Sequence, residues 1–110
     1  MRRGDVVAVV LPGAYGKPRP ALVVQDDAFE ALPSVTVLPI TSDLRDLPTL
    51  RISIEPGPAS GLRRRSQVQI DKIMTIPRSR LGPRIGELDA SAMGTVGEAL
   101  GRFLGLAWEE

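Results

Sequence analysis

The chain has 110 residues, 43% hydrophobic and 25% charged, with a formal net charge of +1; this is the make-up of a soluble globular protein, and one domain over residues 1–110 is expected. Cysteine and histidine are both absent, which excludes disulfides, thiolate or imidazole metal sites, a Ser-His-Asp triad and acid–base pairs built on imidazole. Any catalysis falls to Arg, Lys, carboxylates, hydroxyls or backbone groups, and neither a cofactor nor a metal is expected.

In chain order, Asp5 to Leu11 is a Val/Ala run that reads as a buried strand. It is too short for the apolar core of an export signal or for a membrane span. No membrane association is expected, and the cytoplasm is the expected location. Pro12-Gly13 ends the run, and residues 12–18 form a loop. Ala21 to Gln25 is a second apolar run, followed by a connection at 26–33 with room for one helical turn. Val35 to Ile40 is β-branched and strand-like, and 41–48 is polar and turn-like. Leu50 to Ile54 alternates apolar and polar residues, the period of a half-buried strand. Glu55 to Arg65 holds Pro56-Gly57-Pro58 and Gly61 and reads as a mobile loop. Ser66 to Ile70 alternates again, with Val68 and Ile70 on one face and Gln67 and Gln69 on the other. Residues 77–82 form a bend, and Ile85 to Leu88 a last short strand. From an Asp89 or Ser91 cap, a helix runs to about Leu104, with Met93, Val96, Leu100, Phe103 and Leu104 as its apolar stripe. Five or six short strands and one terminal helix predict a mainly β, α+β fold: a small antiparallel barrel or sheet with a C-terminal helix.

Charge is unevenly placed. Residues 62–84 carry seven of the 14 basic residues (Arg63, Arg64, Arg65, Lys72, Arg78, Arg80 and Arg84) against Asp71 alone of the 13 acidic ones. A polyanion on one face is one reading, and a salt-bridged, solvated surface is the other.

Several segments together resemble the MazF/PemK family of toxin endoribonucleases. They are Arg3-Gly4-Asp5-Val6-Val7, Arg19-Pro20-Ala21-Leu22-Val23-Val24-Gln25-Asp26-Asp27-Ala28-Phe29, Leu38-Pro39-Ile40-Thr41-Ser42, Val68-Gln69-Ile70-Asp71-Lys72-Ile73-Met74-Thr75-Ile76 and Ser79-Arg80-Leu81 followed by Ile85-Gly86-Glu87-Leu88, with the helix ending in Phe103-Leu104-Gly105-Leu106. They stand in the family's order and cover nearly the whole chain. The resemblance implies an SH3-like barrel with an added helix and a homodimer. It also implies cleavage of single-stranded RNA at short sequences and neutralisation by a cognate antitoxin.

RNA cleavage without a metal commonly uses the neighbouring 2′-hydroxyl as nucleophile, leaving a 2′,3′-cyclic phosphate and a 5′-hydroxyl. Arg19 suits charge stabilisation: a guanidinium makes two-point contacts with phosphate oxygens, and Pro20 biases Arg19 toward extended backbone. Thr41 stands at a strand end, where its hydroxyl can donate to a phosphate oxygen; the alternative is a turn cap within Thr41-Ser42-Asp43. The resemblance implies a catalytic role for both. Asp71 either accepts the 2′-hydroxyl proton, orients Arg19, or forms a structural salt bridge with Lys72 or a nearby arginine. Arg19, Thr41 and Asp71 are therefore the catalytic candidates. Tyr15, Lys17, Ser42, Arg63, Arg64, Arg65 and Gln69 are the candidates for holding RNA, Tyr15 by stacking and the basic groups through phosphate.

Departures from the family's pattern bear on specificity. The first loop lacks the Ser-Glu-Gln element common in relatives. Gln69 stands where some members have an arginine, and Met74 where Arg or Lys is usual. Two other readings stay open on the sequence: a gyrase-binding toxin of the same fold (CcdB-like), and a catalytically weakened family member.

Overall fold

The computed structural model describes residues 1–10 and 16–106. Seven strands precede one helix: β1 (Asp5–Val9), β2 (Arg19–Val23), β3 (Ser34–Thr41), β4 (Arg51–Ile54), β5 (Ser66–Gln69), β6 (Met74–Pro77), β7 (Leu81–Glu87) and α1 (Ala90–Phe103). Single 3-10 turns occupy Asp27–Phe29, Ile70–Lys72 and Arg78–Arg80. All the strand pairs are antiparallel, in the order β4-β5-β3-β2-β1-β7, with β6 beside β3.

The eight-residue β3 organises the sheet. Along one edge it pairs with β2. Along the other it pairs first with β6, through Ser34 to Val37, and then with β5, through Ile40 and Thr41. Pro39 has no N–H to donate, and it lies where that edge changes partner, so no ladder bond is lost.

Alternation along the strands feeds two cores. Val7, Val9, Ala21, Val23, Val35, Val37 and Ile76 form one, with Met74 and Leu81 packed against it. All five strands β6-β3-β2-β1-β7 contribute, so this is the inside of a curled sheet. Its edge strands β6 and β7 are joined by the turn at Arg78–Arg80 and do not pair. The barrel is thus half-open rather than closed. Two register shifts between β1 and β7 supply the bend, as bulges do. The other core lies under α1 and joins Val6, Leu22, Leu38, Ile40, Val68, Ile70, Val96 and Leu100. Each fully buried aliphatic side chain here is worth about 1.5–3 kcal/mol.

The structure departs from the sequence expectation at five points. β7 begins at Leu81 rather than Ile85 and ends at Glu87, because pairing with β1 from Val9 to Asp5 makes the strand. β1 ends at Val9, before an exposed Val10. β6 went unseen: two apolar residues alternating with Thr75 and Pro77 are too short a pattern, and pairing with β3 makes the strand. Residues 55–65 are anchored, with Ser60 and Leu62 buried. Gly57 N–H donates to the Leu62 carbonyl at 3.1 Å, Ser60 Oγ to the Glu55 carbonyl at 3.0 Å, and Glu87 N–H to the Ala59 carbonyl at 2.9 Å. Finally, Gln67 is buried, not on an outer polar face.

α1 starts where expected: the Asp89 side chain accepts the Ala92 N–H at 2.8 Å, a standard N-cap. Val96 and Leu100 are buried, while Phe103 and Leu104 at the end of the stripe are exposed. A Cβ at Gly94 would meet nothing within 4 Å, so close packing does not demand this glycine. Gly94→Ala is therefore expected to stabilise the fold by about 0.5–1 kcal/mol, read as a higher urea midpoint with unchanged slope. No helix among the described residues is long and apolar enough to cross a membrane.

Candidate active-site groove

Arg19 opens β2, exposed and paired across the ladder with Val9 of β1. On the other side β2 meets β3 with Ala21 opposite Pro39, Leu22 opposite Leu38 and Val23 opposite Val37. Continuing this register by two residues sets Arg19 across from Thr41. The two groups, 22 residues apart in sequence, thus share one end and one face of a rigid strand pair. Arg19 makes no ion pair among the described residues, and its fork is available to an anion.

A groove of about 860 Å³ opens over this end of the sheet. Arg19, Pro20, Thr41, Ser42 and Asp43 line it from β2, β3 and the turn after β3; Gly61, Leu62, Arg63 and Arg64 from the 55–65 loop; Ser66 and Gln69 from β5; and Ile85 from β7. The loop lies directly on β7: a Cβ at Gly61 would fall 1.8 Å from the Ile85 carbonyl oxygen. Anchoring the loop there is what brings Arg63 and Arg64 to the groove.

Of the sequence candidates, Arg19, Thr41, Ser42, Arg63, Arg64 and Gln69 come together. Arg65 instead pairs with Glu55, Nε to Oε2 at 3.0 Å. Asp71 sits in the turn at Ile70–Lys72, 3.8 Å from Lys72 Nζ, and does not line the groove. Lys17 is exposed and off the lining. Tyr15 lies outside the described residues. Thr41 Oγ1 accepts the Asp43 N–H at 3.0 Å. That is the turn cap the sequence left as an alternative, and it leaves the hydroxyl proton free to donate outward.

Two residues went unmarked in the sequence. Gln67, across the ladder from Thr41, clamps the turn behind it. Its Oε1 accepts from Arg45 N–H and Arg51 Nη1, both at 3.0 Å, and its Nε2 donates to the Arg45 carbonyl at 3.1 Å. A buried amide bonded at both ends fixes the turn bearing Thr41, Ser42 and Asp43. Asp43 is the second. Its hydrogen bond and charge pairing with Arg45 hold its carboxyl below the ordinary carboxylate range. Gln67 shows no local sequence signal, because its partners are brought in by the sheet, whereas the side chain of Asp43 pairs with Arg45 only two residues on.

A sequence model of the family described as "PemK-like, MazF-like toxin of type II toxin-antitoxin system" matches residues 2–104. The chain belongs to the PemK/MazF toxin family. It is 52% identical over 108 residues to the probable endoribonuclease MazF of Mycolicibacterium smegmatis, covering 97% of this chain and 99% of that one. Among solved structures it is similar to Mycobacterium tuberculosis toxin MazF-mt6, with a TM-score of 0.81, 31% identity, and coverage of 94% of this chain and 99% of that one. It is also similar to an endoribonuclease in complex with its cognate antitoxin from a mycobacterial species, with a TM-score of 0.81, 28% identity and coverage of 99% of each chain. The PemK/MazF fold is therefore the frame in which the groove is read: a mainly β sheet that presents one end of β2 and β3, with Arg19 and Thr41, to the outside.

Proposed function

We propose that this PemK/MazF toxin cleaves single-stranded RNA in the groove by attack of the neighbouring 2′-hydroxyl, without a metal. The observation that carries the reading is that Arg19 and Thr41 line one groove together with Arg63 and Arg64 of the 55–65 loop. The 2′-oxygen bonds to phosphorus and the P–O5′ bond breaks, leaving a 2′,3′-cyclic phosphate and a 5′-hydroxyl. Arg19 neutralises the charge that builds on the phosphorane oxygens, and Thr41 donates its hydroxyl proton to one of them in a hydrogen bond. The 2′-hydroxyl proton leaves to water, because Asp43, held low by Arg45, is a poor base, and water returns a proton to O5′ as the P–O5′ bond breaks. Asp43 is the one carboxylate among the groove's described lining residues.

The test is incubation with a long single-stranded RNA in EDTA, followed by chemical identification of the new ends. Cleavage to 5′-hydroxyl and cyclic phosphate ends is expected. Loss of cleavage in EDTA sinks the metal-free mechanism, and intact RNA under all conditions sinks the nuclease reading in favour of a toxin that acts by binding.

Arg63 and Arg64 hold the RNA backbone in this reading, and Arg65 does not. Each phosphate contact contributes about 0.7 to the slope of log affinity against log salt for a single strand. Arg63→Ala/Arg64→Ala is therefore expected to reduce that slope by about 1.4, while Arg65→Ala leaves it unchanged. Equal slopes for both variants would remove the distinction.

The antitoxin complex among similar structures supports a cognate antitoxin as partner, and the family supports a homodimer acting in the cytoplasm. The exposed apolar side chains of Phe103, Leu104 and Leu106 at the end of α1 are surface that such partners cover.

A further inference from the structure

The groove holds one group that this chemistry leaves idle. Asp43 lines the groove beside Thr41 and Ser42, together with Arg63 and Arg64 of the 55–65 loop. A fixed anion repels phosphate, so holding the RNA backbone is not its role. It is held by an exposed ion pair with Arg45 and by its backbone. Oδ2 accepts from Arg45 Nε at 3.3 Å and Nη2 at 2.9 Å. Arg51 Nη1 donates to the Asp43 carbonyl at 3.1 Å. Gln67 in turn grips both the Arg45 backbone and Arg51. Oδ1 makes no hydrogen bond among the described residues. Ionised and partnered on one side, Asp43 presents to the groove an oriented group that can only accept.

We propose that Asp43 reads a base of the bound RNA, its Oδ1 accepting a hydrogen bond from an exocyclic amino group, so that one position of the cut sequence favours adenine, cytosine or guanine over uracil. The inference rests on the endoribonuclease reading. The three favoured bases each carry an amino group whose N–H projects from the base edge, and a carboxylate is its natural acceptor, as for Asp and Glu on cytosine N4. Uracil shows carbonyl oxygens at both corners of its pairing edge, which set lone pairs against a carboxylate. The groove then divides its work: Arg19, Arg63 and Arg64 take phosphates, which position, and Asp43 takes a base edge, which specifies. A good two-point base contact discriminates by about 5- to 150-fold, the equivalent of about 1–3 kcal/mol, and a single acceptor oxygen stands at the low end of that range.

The experiment is cleavage of a randomised single-stranded RNA pool by the parent, Asp43→Asn and Asp43→Ala, with all ends sequenced. The readout is the base ratio at each position around the cut, which is internal to each reaction and independent of total rate. The parent is expected to show one position depleted of uracil by at least about 5-fold. Asp43→Asn keeps the shape and adds an N–H donor, so uracil becomes acceptable there; Asp43→Ala flattens the preference. Identical base preferences in all three proteins overturn the proposal while leaving the nuclease reading intact. A uniform loss of cutting at every sequence also overturns it, and makes Asp43 the proton acceptor instead. A parent that cuts no RNA overturns both readings together.

Discussion

Arg19→Ala is expected to lower the single-turnover rate of RNA cleavage by about 100- to 1,000-fold, the usual cost of removing one preorganised donor to transition-state charge. The fold should not notice. Arg19 is exposed at the start of β2 and holds no ion pair among the described residues, so the change in stability should stay within about 0.5 kcal/mol. That separation is what gives the experiment its force. Arg19→Lys keeps the charge but not the planar fork, and should recover only part of the loss. A variant that is equally active, or one that loses activity by unfolding, contradicts the role. Rate rather than affinity should carry most of the effect, because Arg63 and Arg64 still hold the backbone when Arg19 is gone.

Gly61→Ala is expected to cost about 2–5 kcal/mol of stability and to weaken RNA binding as well. Two strains add at this position. The residue has φ +74°, a left-handed conformation that costs any other residue about 1–2 kcal/mol. A Cβ there would also sit 1.8 Å from the Ile85 carbonyl oxygen and 2.5 Å from its carbon. Both are backbone atoms of β7 and cannot swing aside. Relief requires the 55–65 loop to lift from β7, which carries Leu62 out of the core and Arg63 and Arg64 away from the groove. Chemical denaturation gives the first effect and RNA titration the second. A loss below about 1 kcal/mol would show that the loop is not held where the structure places it. Gly94→Ala, in open space, is expected to act with the opposite sign, so the pair separates glycines required by geometry from one that is not.

Much of the fold was legible because it rests on local pattern. The Val-rich runs at β1 to β3, the alternation in β4 and β5, the Asp89 cap and the 3.6-residue stripe of α1 each mark their element without outside help. β6 was not legible, since four residues with a terminal proline become a strand only when the outer edge of β3 is there to pair with them. The 55–65 loop was misread for a related reason. Its Pro-Gly-Pro run reads as slack chain, and only the contact with β7 shows that Gly61 is required for close approach. Gln67 looks like a surface glutamine in an alternating strand, yet two hydrogen bonds with the distant Arg45 backbone and one from Arg51 of β4 make it a buried clamp.

The site divides along the same line. The amino-acid sequence alone determined the chemistry on offer: no imidazole and no thiolate, a basic central stretch, and Arg19-Pro20 and Thr41-Ser42 at strand ends, in an order that resembles the PemK/MazF family. Residue type and short-range spacing carry that information. Tertiary structure decided which of those groups act together. The antiparallel pairing of β2 and β3 brought Arg19 and Thr41 to one end of the sheet, and the loop on β7 brought in Arg63 and Arg64. Local pairing drew Arg65 to Glu55 and set Asp71 beside Lys72, outside the groove. Long-range strand pairing also placed Asp43 in the groove with one oxygen free. A side chain's neighbours are set by contacts between segments far apart in the chain, and no local pattern encodes them.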